Sequence, residues 1–397
     1  MMSRIFLNKF IITFVLLLLF KETYAQSEHV NYVNVKRYDI FDGLPSNEVI
    51  QISQDQKGFL WVVTHKGLSR FDGRKFKLYQ QNNQLPNALP NNEVSLFKEE
   101  ENGLWMGLNN VGLTYFDSQK EAFTLFPVDE KQTPKALMNN IVFALETDDE
   151  GQVWVFQFGQ GISVWNKDKK AFTHYTQETV DWLPSVRFFD AKRDAKGQIW
   201  VATLDGQVLV IDPKKETAKS YGISFDESQP QTGRVYGLSM DQEGGVYAAA
   251  YNGLHHWNPD TDKFEMMVSQ AHVKLIMGEP EPIRNVLMDS MQRVWLSTRN
   301  GLMLLDQKKL TRMAFLEHGQ AMPQDLHIRS VFEDKEQQIW VATDEKGIFK
   351  IANQWQQMNV QLPFNEAEKD GNNLSAVLVD HGRSEDLIFA LNDTMQE

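Results

Sequence analysis

The 397-residue chain contains no cysteine, which excludes disulfides, thiolate metal sites and a lipid-attachment cysteine and leaves packing as the source of its stability. Beyond residue 25 it has no run of 18 consecutive apolar residues, so the body of the sequence predicts no membrane-spanning helix. It also lacks a basic excess. Its 40 Lys and Arg face 53 Asp and Glu, a formal net charge of −13 that becomes −15 without the first 25 residues. Nucleic acid is therefore not an expected partner, because a phosphate backbone is bound through an excess of cations. Catalytic signatures are missing as well: there is no G-x-S-x-G, H-E-x-x-H or G-x-x-x-x-G-K, and no kinase catalytic or nucleotide-binding motif. No enzymatic activity, metal or cofactor is expected of these residues.

What the chain does contain is an ordinary globular composition, 42% apolar and 11% aromatic. Its N-terminus carries Arg4 and Lys9, then the apolar run from Phe10 to Phe20, then Thr23 and Ala25 ahead of Gln26. That order is the pattern of a secretory signal peptide over residues 1–25, and the 11-residue run is short for a bilayer span. The reading predicts export to the periplasmic side of a bacterial inner membrane.

A tryptophan-centred pattern dominates the rest. In "DQKGFLWVVTHKGLSRFDGRKFKLY", from Asp55 to Tyr79, short apolar runs alternate with glycine turns. The pattern recurs at Trp61, Trp105, Trp154, Trp200, Tyr247, Trp295 and Trp340, spaced by 44 to 49 residues. A period near 46 residues marks a solenoid, propeller or array. In the first copy "VIQIS", "FLWVVT", "LSRFD" and "FKLYQ" read as four strands. A glycine follows each anchor by six or seven residues (Gly67, Gly112, Gly161, Gly206, Gly253, Gly301, Gly347), where a tight hairpin between the second and third strands needs positive φ. Seven such units predict an all-β, seven-bladed β-propeller of four-stranded antiparallel blades. A β-sandwich would not require the period. The tryptophans then fill the wedges between blades, an account that leaves a sugar-stacking ladder unnecessary.

The first copy and its lead-in resemble the two-component regulator propeller repeat. The resemblance lies in "DGLPSN" (Asp42–Asn47), the D-x-x-G-x-L-W turn (Asp55–Trp61), the "GLSRFDG" hairpin (Gly67–Gly73) and the closing F-x-x-Y. Later copies are looser: Leu183-Pro184-Ser185 keeps part of the lead-in and Tyr247 replaces the tryptophan. The resemblance implies the extracytoplasmic ligand-sensing region of a membrane-bound signalling protein, whose output is a histidine kinase, a hybrid kinase or a diguanylate cyclase. It further implies a small-molecule or oligosaccharide ligand and a homodimer formed through the sensor region. Any membrane contact and any output domain would lie in segments beyond Glu397.

The expected organisation is a signal peptide over 1–25, a propeller over 26–365 and a truncated eighth repeat over 366–397. "NVKRYDIFDG" (Asn34–Gly43) looks like a fourth strand without a blade, and "LSAVLVD" (Leu374–Asp380) with "LIFALND" (Leu387–Asp393) like the first two strands of an eighth repeat. The two ends would pair if the ring closed through them. The favoured reading has the first seven blades closing on themselves in a fragment of a longer sensor; the alternative is a stand-alone periplasmic binding or scaffold propeller.

Histidines show no metal-ligand spacing, and His255 and His256 fall on opposite faces of a strand. Carboxylates such as Asp148-Asp149 and Glu99-Glu100-Glu101 precede anchor strands and suit turn capping. One pattern points to a site. Counted from the anchors, Glu48, Arg187 and Arg234 are equivalent, with Arg284 and Arg329 one residue further on and Glu93 close by. All enter strands nearest the channel, so four arginines from the fourth to seventh blades are expected around one side of its mouth. Arginine forks suit carboxylate, sulfate or phosphate; inter-blade ion pairs with the abundant acids are the competing account.

Overall fold

A computed structural model describes residues 30–351 apart from 130–132 and 224–232, together with the backbone of the strands Met358–Asn359, Leu374–Asp380 and Leu387–Asn392. The expected signal peptide lies outside the described residues.

Seven four-stranded blades form a closed ring. The first comprises Val49–Gln54, Leu60–Thr64, Gly67–Phe71 and Phe76–Tyr79, hydrogen-bonded in sequence order, and these are the four strands expected of the first repeat. Blades two to six follow the same order. Their innermost strands are Val94–Glu100, Val142–Thr147, Phe188–Arg193, Val235–Met240 and Asn285–Met288, and that of the seventh is Ile328–Glu333. Each innermost strand touches the next, and the seventh returns to the first.

Closure comes from the N-terminal strand. The seventh repeat supplies three strands of its blade, ending at Ile348–Ile351. The fourth is Val30–Tyr38, whose second half runs antiparallel to that strand, Val35 opposite Ile351 and Tyr38 opposite Ile348. Its first half runs parallel to Arg312–Leu316 at the edge of blade six, so one strand joins two blades into a continuous sheet. The run at Asn34–Gly43 thus finds its blade in the seventh repeat rather than in an eighth. Gly347 shows how tight this closure is: its φ is +77°, and an added Cβ would meet the carbonyl of Tyr38. Leu374–Asp380 and Leu387–Asn392 pair antiparallel in a separate small sheet with Met358–Asn359. The other residues of the expected eighth repeat lie outside the described residues.

The anchors are wedge residues. Among the described residues seven apolar clusters each bridge two neighbouring blades, and each holds one anchor. Trp61, for example, packs with Phe116 and Tyr79 between blades one and two, at ring separations of 5.4 and 5.6 Å. The indole N–H of a buried tryptophan still needs an acceptor. In six blades it donates to a carboxylate that lies in the preceding turn or, for Glu100, at the strand end just before it: Asp55, Glu100, Asp148, Asp194, Asp289 and Asp334 serve Trp61, Trp105, Trp154, Trp200, Trp295 and Trp340 at 2.7–2.9 Å. The second oxygen of Asp148 accepts the backbone N–H groups of Glu150 and Gln152, so one side chain fixes both turn and wedge.

Two outcomes are expected in urea denaturation. Asp148→Ala strands the buried Trp154 N–H and two turn amides and should cost about 2–4 kcal/mol; a loss under about 0.5 kcal/mol would contradict the clamp. Val33→Asp places a carboxylate beside Phe315 and Phe349 in the cluster between blades six and seven. It should cost about 3 kcal/mol or more, and an unchanged midpoint would show that the N-terminal strand does not close the ring.

Candidate functional site

The channel mouth is built by a repeated irregularity. In six blades the pairing of the innermost strand with the second slips by one residue. The extra residues are Ile50, Ser95, Phe143, Phe189, Tyr236 and Arg329, one per inner strand. In blade six Arg284 holds the equivalent place, its N–H donating to Ser297 O at 2.9 Å just before the paired Asn285. A β-bulge re-aims the side chain it carries, and here consecutive bulge residues meet one another around the ring. Phe143 contacts Phe189 at 5.9 Å, Phe189 contacts Tyr236 at 5.4 Å, and the Arg284 guanidinium lies 4.8 Å above the Tyr236 ring.

This geometry corrects the register expected for the arginines. Arg284 and Arg329 lie two residues, not one, beyond the position shared by Glu48, Arg187 and Arg234, so they occupy the bulge ring while the other three stand on an outer rim. The rim is recognisable by its carbonyls: those of Arg187 and Arg234 accept the N–H groups of Leu204 and Tyr251, and that of Glu93 accepts Asn109. Glu48 and Arg187 are exposed and Arg234 is half-buried. Arg187 is bound to Asp205 of its own blade at 2.8 Å, rather than across blades, and Asp205 also accepts the Ser185 hydroxyl at 2.6 Å. Arg329 shares Asp344 with His327. Arg284 has no ion pair among the described residues, and its Nε is buried without a hydrogen-bond partner.

Arg299 was not singled out from the sequence. It opens the turn after the second strand of blade six, directly before Asn300-Gly301, and is exposed. Burial lowers the pKa of Arg284; Tyr236 and the Glu281 carboxylate oppose this, and the charges of Arg299 and Arg329 reinforce it. His327 is lowered mainly by burial; Asp344 opposes this, and Arg329, Arg299 and Arg284 reinforce it. The arginines of blades six and seven therefore form one electrostatic group. Deeper in the channel, charges are paired: Lys98 with Glu146 at 2.7 Å and Lys192 with Asp190 at 2.9 Å, while Ser53 donates to Glu99. Gln51 ties blade one to blade two by bonding both the N–H and the carbonyl of Phe97.

Residues 43–66 match the family described as two component regulator propeller. The chain carries the two-component regulator propeller repeat. A 68-residue stretch is 41% identical to histidine kinase P4 of Formosa agariphila, covering 17% of this chain and 5% of that protein. Among solved structures, the extracellular domain of the hybrid two-component system BT3049 from B. thetaiotaomicron gives a TM-score of 0.69 at 22% identity, over 91% of this chain and 48% of that one. That of BT4673 from the same organism gives 0.66 at 17%, over 91% and 47%. A streptogramin B lyase gives 0.60 at 12%, over 80% and 97%. The chain thus spans about half the length of the two extracellular domains and a twentieth of the kinase. At these identities the solved structures share the propeller fold, which a lyase and the extracellular domains of two-component systems use alike.

Elsewhere the propeller offers a cleft of about 360 Å³ at the opposite end, between blades four and five, lined by Trp200, Tyr221, Trp257 and Lys215. Among the described residues no three His, Asp or Glu side chains converge as metal ligands, and no helix is long and apolar enough to cross a membrane. His255 and His256 diverge as expected from a strand. His255 is fully buried with Nε2 2.9 Å from Asn252 Oδ1, whereas His256 packs on Tyr247 at 4.4 Å.

Burial lowers the His255 pKa from 6.5 to about 4. The unfolded chain binds this proton more readily, so stability is full above pH 6.5 and is lost as pH falls through about 4. His255→Leu should flatten the loss between pH 7 and pH 4, by up to roughly 3 kcal/mol, in urea titrations at each pH. An equal loss in both proteins would contradict the assignment.

Proposed function

We propose that this chain is the extracytoplasmic ligand-sensing propeller of a bacterial two-component signalling protein, exported by its N-terminal segment and without catalysis of its own. The repeat match supports the signalling assignment, and the expected output remains a histidine kinase, hybrid kinase or diguanylate cyclase joined to this propeller. A homodimer through the sensor region belongs to the same reading.

The site proposed is the channel mouth on the side of blades six and seven, and the ligand is an anion. One observation carries this choice: Arg284 is held half-buried by Tyr236 with no ion pair among the described residues and an unsatisfied Nε, while Arg187 and Arg329 are paired with carboxylates. A guanidinium partly removed from water without a direct ion pair is costly, and a carboxylate or sulfate seated on its fork would offset that cost. Oligosaccharide fragments bearing such groups are the leading candidates by resemblance.

A thermal-shift screen of the purified propeller against neutral, carboxylated and sulfated glycans should single out charged members. Combined Arg284→Ala and Arg329→Ala replacement should weaken the selected ligand by about tenfold or more, since charge-assisted hydrogen bonds contribute about 1.5–3 kcal/mol each. Unchanged affinity would remove the arginines from the site.

A further inference from the structure

Seven repeats place one residue each at the bulge and one each at the start of the turn after the second strand. Both sets lie at the same end of the ring: in blades two to five and seven the turn N–H bonds the rim carbonyl ahead of the bulge position. Packing asks the same of every blade at these positions, yet the residues are sorted by sector. Blades one and two show Ile50 with His65 and Ser95 with Asn109. Blades three to five show Phe143 with Phe158, Phe189 with Leu204, and Tyr236 with Tyr251. Blades six and seven show Arg284 with Arg299 and Arg329 with Asp344.

The aromatic sector lies outside the seven apolar clusters that fill the wedges between blades. Phe143, Phe158, Phe189 and Tyr236 belong to none of the seven inter-blade clusters, and the three phenylalanines stay half-exposed. They instead touch one another in a continuous wall: Phe158 to Phe143 at 4.9 Å, then Phe189, then Tyr236. Arg284 lies on the last ring of that wall and carries the unpartnered Nε. An apolar, flat-faced surface therefore ends on a free cation.

We infer that the mouth is one composite site for an anionic group carried on a flat ring, with the ring against the half-exposed Phe143, Phe158 and Phe189 and the anion on Arg284, Arg299 and Arg329, the buried Tyr236 serving as the platform that holds Arg284. The inference deepens the proposed anion-binding role and rests on it. Aromatic faces hold flat rings through dispersion and polarised C–H groups, whereas a small inorganic anion would use the arginines and leave the wall wet. Arg284 is pre-oriented by its stack on Tyr236, so little side-chain freedom is lost when the anion arrives. Acidic saccharides and aromatic carboxylates both carry this chemistry, and the test separates them.

Calorimetric titration of the purified propeller would use trigalacturonate, its neutral trigalactose counterpart, 4-hydroxybenzoate and inorganic sulfate. At least one ring-borne acid is expected to bind about tenfold or more tightly than both the neutral sugar and sulfate; trigalacturonate assigns the saccharide source and 4-hydroxybenzoate the aromatic one. Phe189→Ala and Arg284→Ala should each weaken that acid by about tenfold. Phe189→Leu, which keeps the apolar volume but not the flat face, should weaken it too while leaving the melting temperature in place, and Arg284→Lys should recover only part of the loss. Sulfate binding as tightly as the ring acids, with Phe189→Ala and Phe189→Leu silent, overturns the composite site and leaves the anion site of the proposed function standing. Tight binding of the neutral sugar unaffected by Arg284→Ala, or no binding by either acid, overturns the composite site; only the failure of sulfate as well counts against the anion site.

Discussion

The propeller depends on one contact made six times: a turn carboxylate accepting the indole N–H of the anchor tryptophan. Wedges between blades call for a large flat side chain, and tryptophan fills them best, but its N–H would be stranded in an apolar cluster. The carboxylate removes that penalty and, in the five blades where it is an aspartate, its second oxygen caps the turn that leads into the anchor strand, as Asp148 does. Turn conformation and wedge packing are thereby coupled, so a misformed turn cannot coexist with a seated tryptophan. Glu100 shows that reach matters more than spacing: one residue closer to Trp105 than the aspartates are to theirs, it uses a longer side chain to place its oxygen 2.9 Å from the indole. Blade five dispenses with the contact. Tyr247 brings no indole, and Asp241 turns its carboxylate toward His256, at 3.9 Å, and the turn amides of Glu243 and Gly245.

Much of this architecture is legible in the sequence because it is local. The anchor period, the four runs per repeat and the hairpin glycines all concern residues within one blade, and each glycine named at a hairpin has positive φ. The carboxylate clamp was visible as well, as acidic residues ahead of the anchors, but a capping role alone accounts for them, so their second bond passes unnoticed. Closure is a different kind of fact. Val35 pairs with Ile351 across almost the whole chain, and no local pattern distinguishes a strand that completes blade seven from one that waits for an eighth. Only the ring geometry, which brings the N-terminus beside the edge of the seventh repeat, makes that choice.

The candidate site was half legible for a related reason. Arginine enrichment in the later repeats is plain in the sequence, and counting back from the anchors brings Glu48, Arg187 and Arg234 to one level as the structure does. Counting does not reveal that a bulge separates that level from the next, so Arg284 and Arg329 were assigned to the wrong ring. Phe143, Phe189 and Tyr236 were overlooked although each stands 11 residues before its anchor, as Arg284 and Arg329 do. Aromatic residues in a β protein are expected in the core; only their absence from every inter-blade cluster marks these as different.

A repeated scaffold lets stability and recognition occupy separate positions of the same unit. The anchor and its carboxylate satisfy the wedge, the turn glycine satisfies the hairpin, and the paired charges deeper in the channel hold neighbouring inner strands. None of these constrains what the bulge presents, because a bulge residue is left out of the ladder and projects past it. Seven such residues are free to differ, and their arrangement around the axis carries the asymmetry that the backbone lacks. Sorting them into aromatic and cationic sectors gives a nearly symmetric ring an asymmetric mouth. Arg284, stacked at the boundary between the sectors, is where aromatic and cationic surfaces meet, and in the proposed composite site that boundary would orient the ligand.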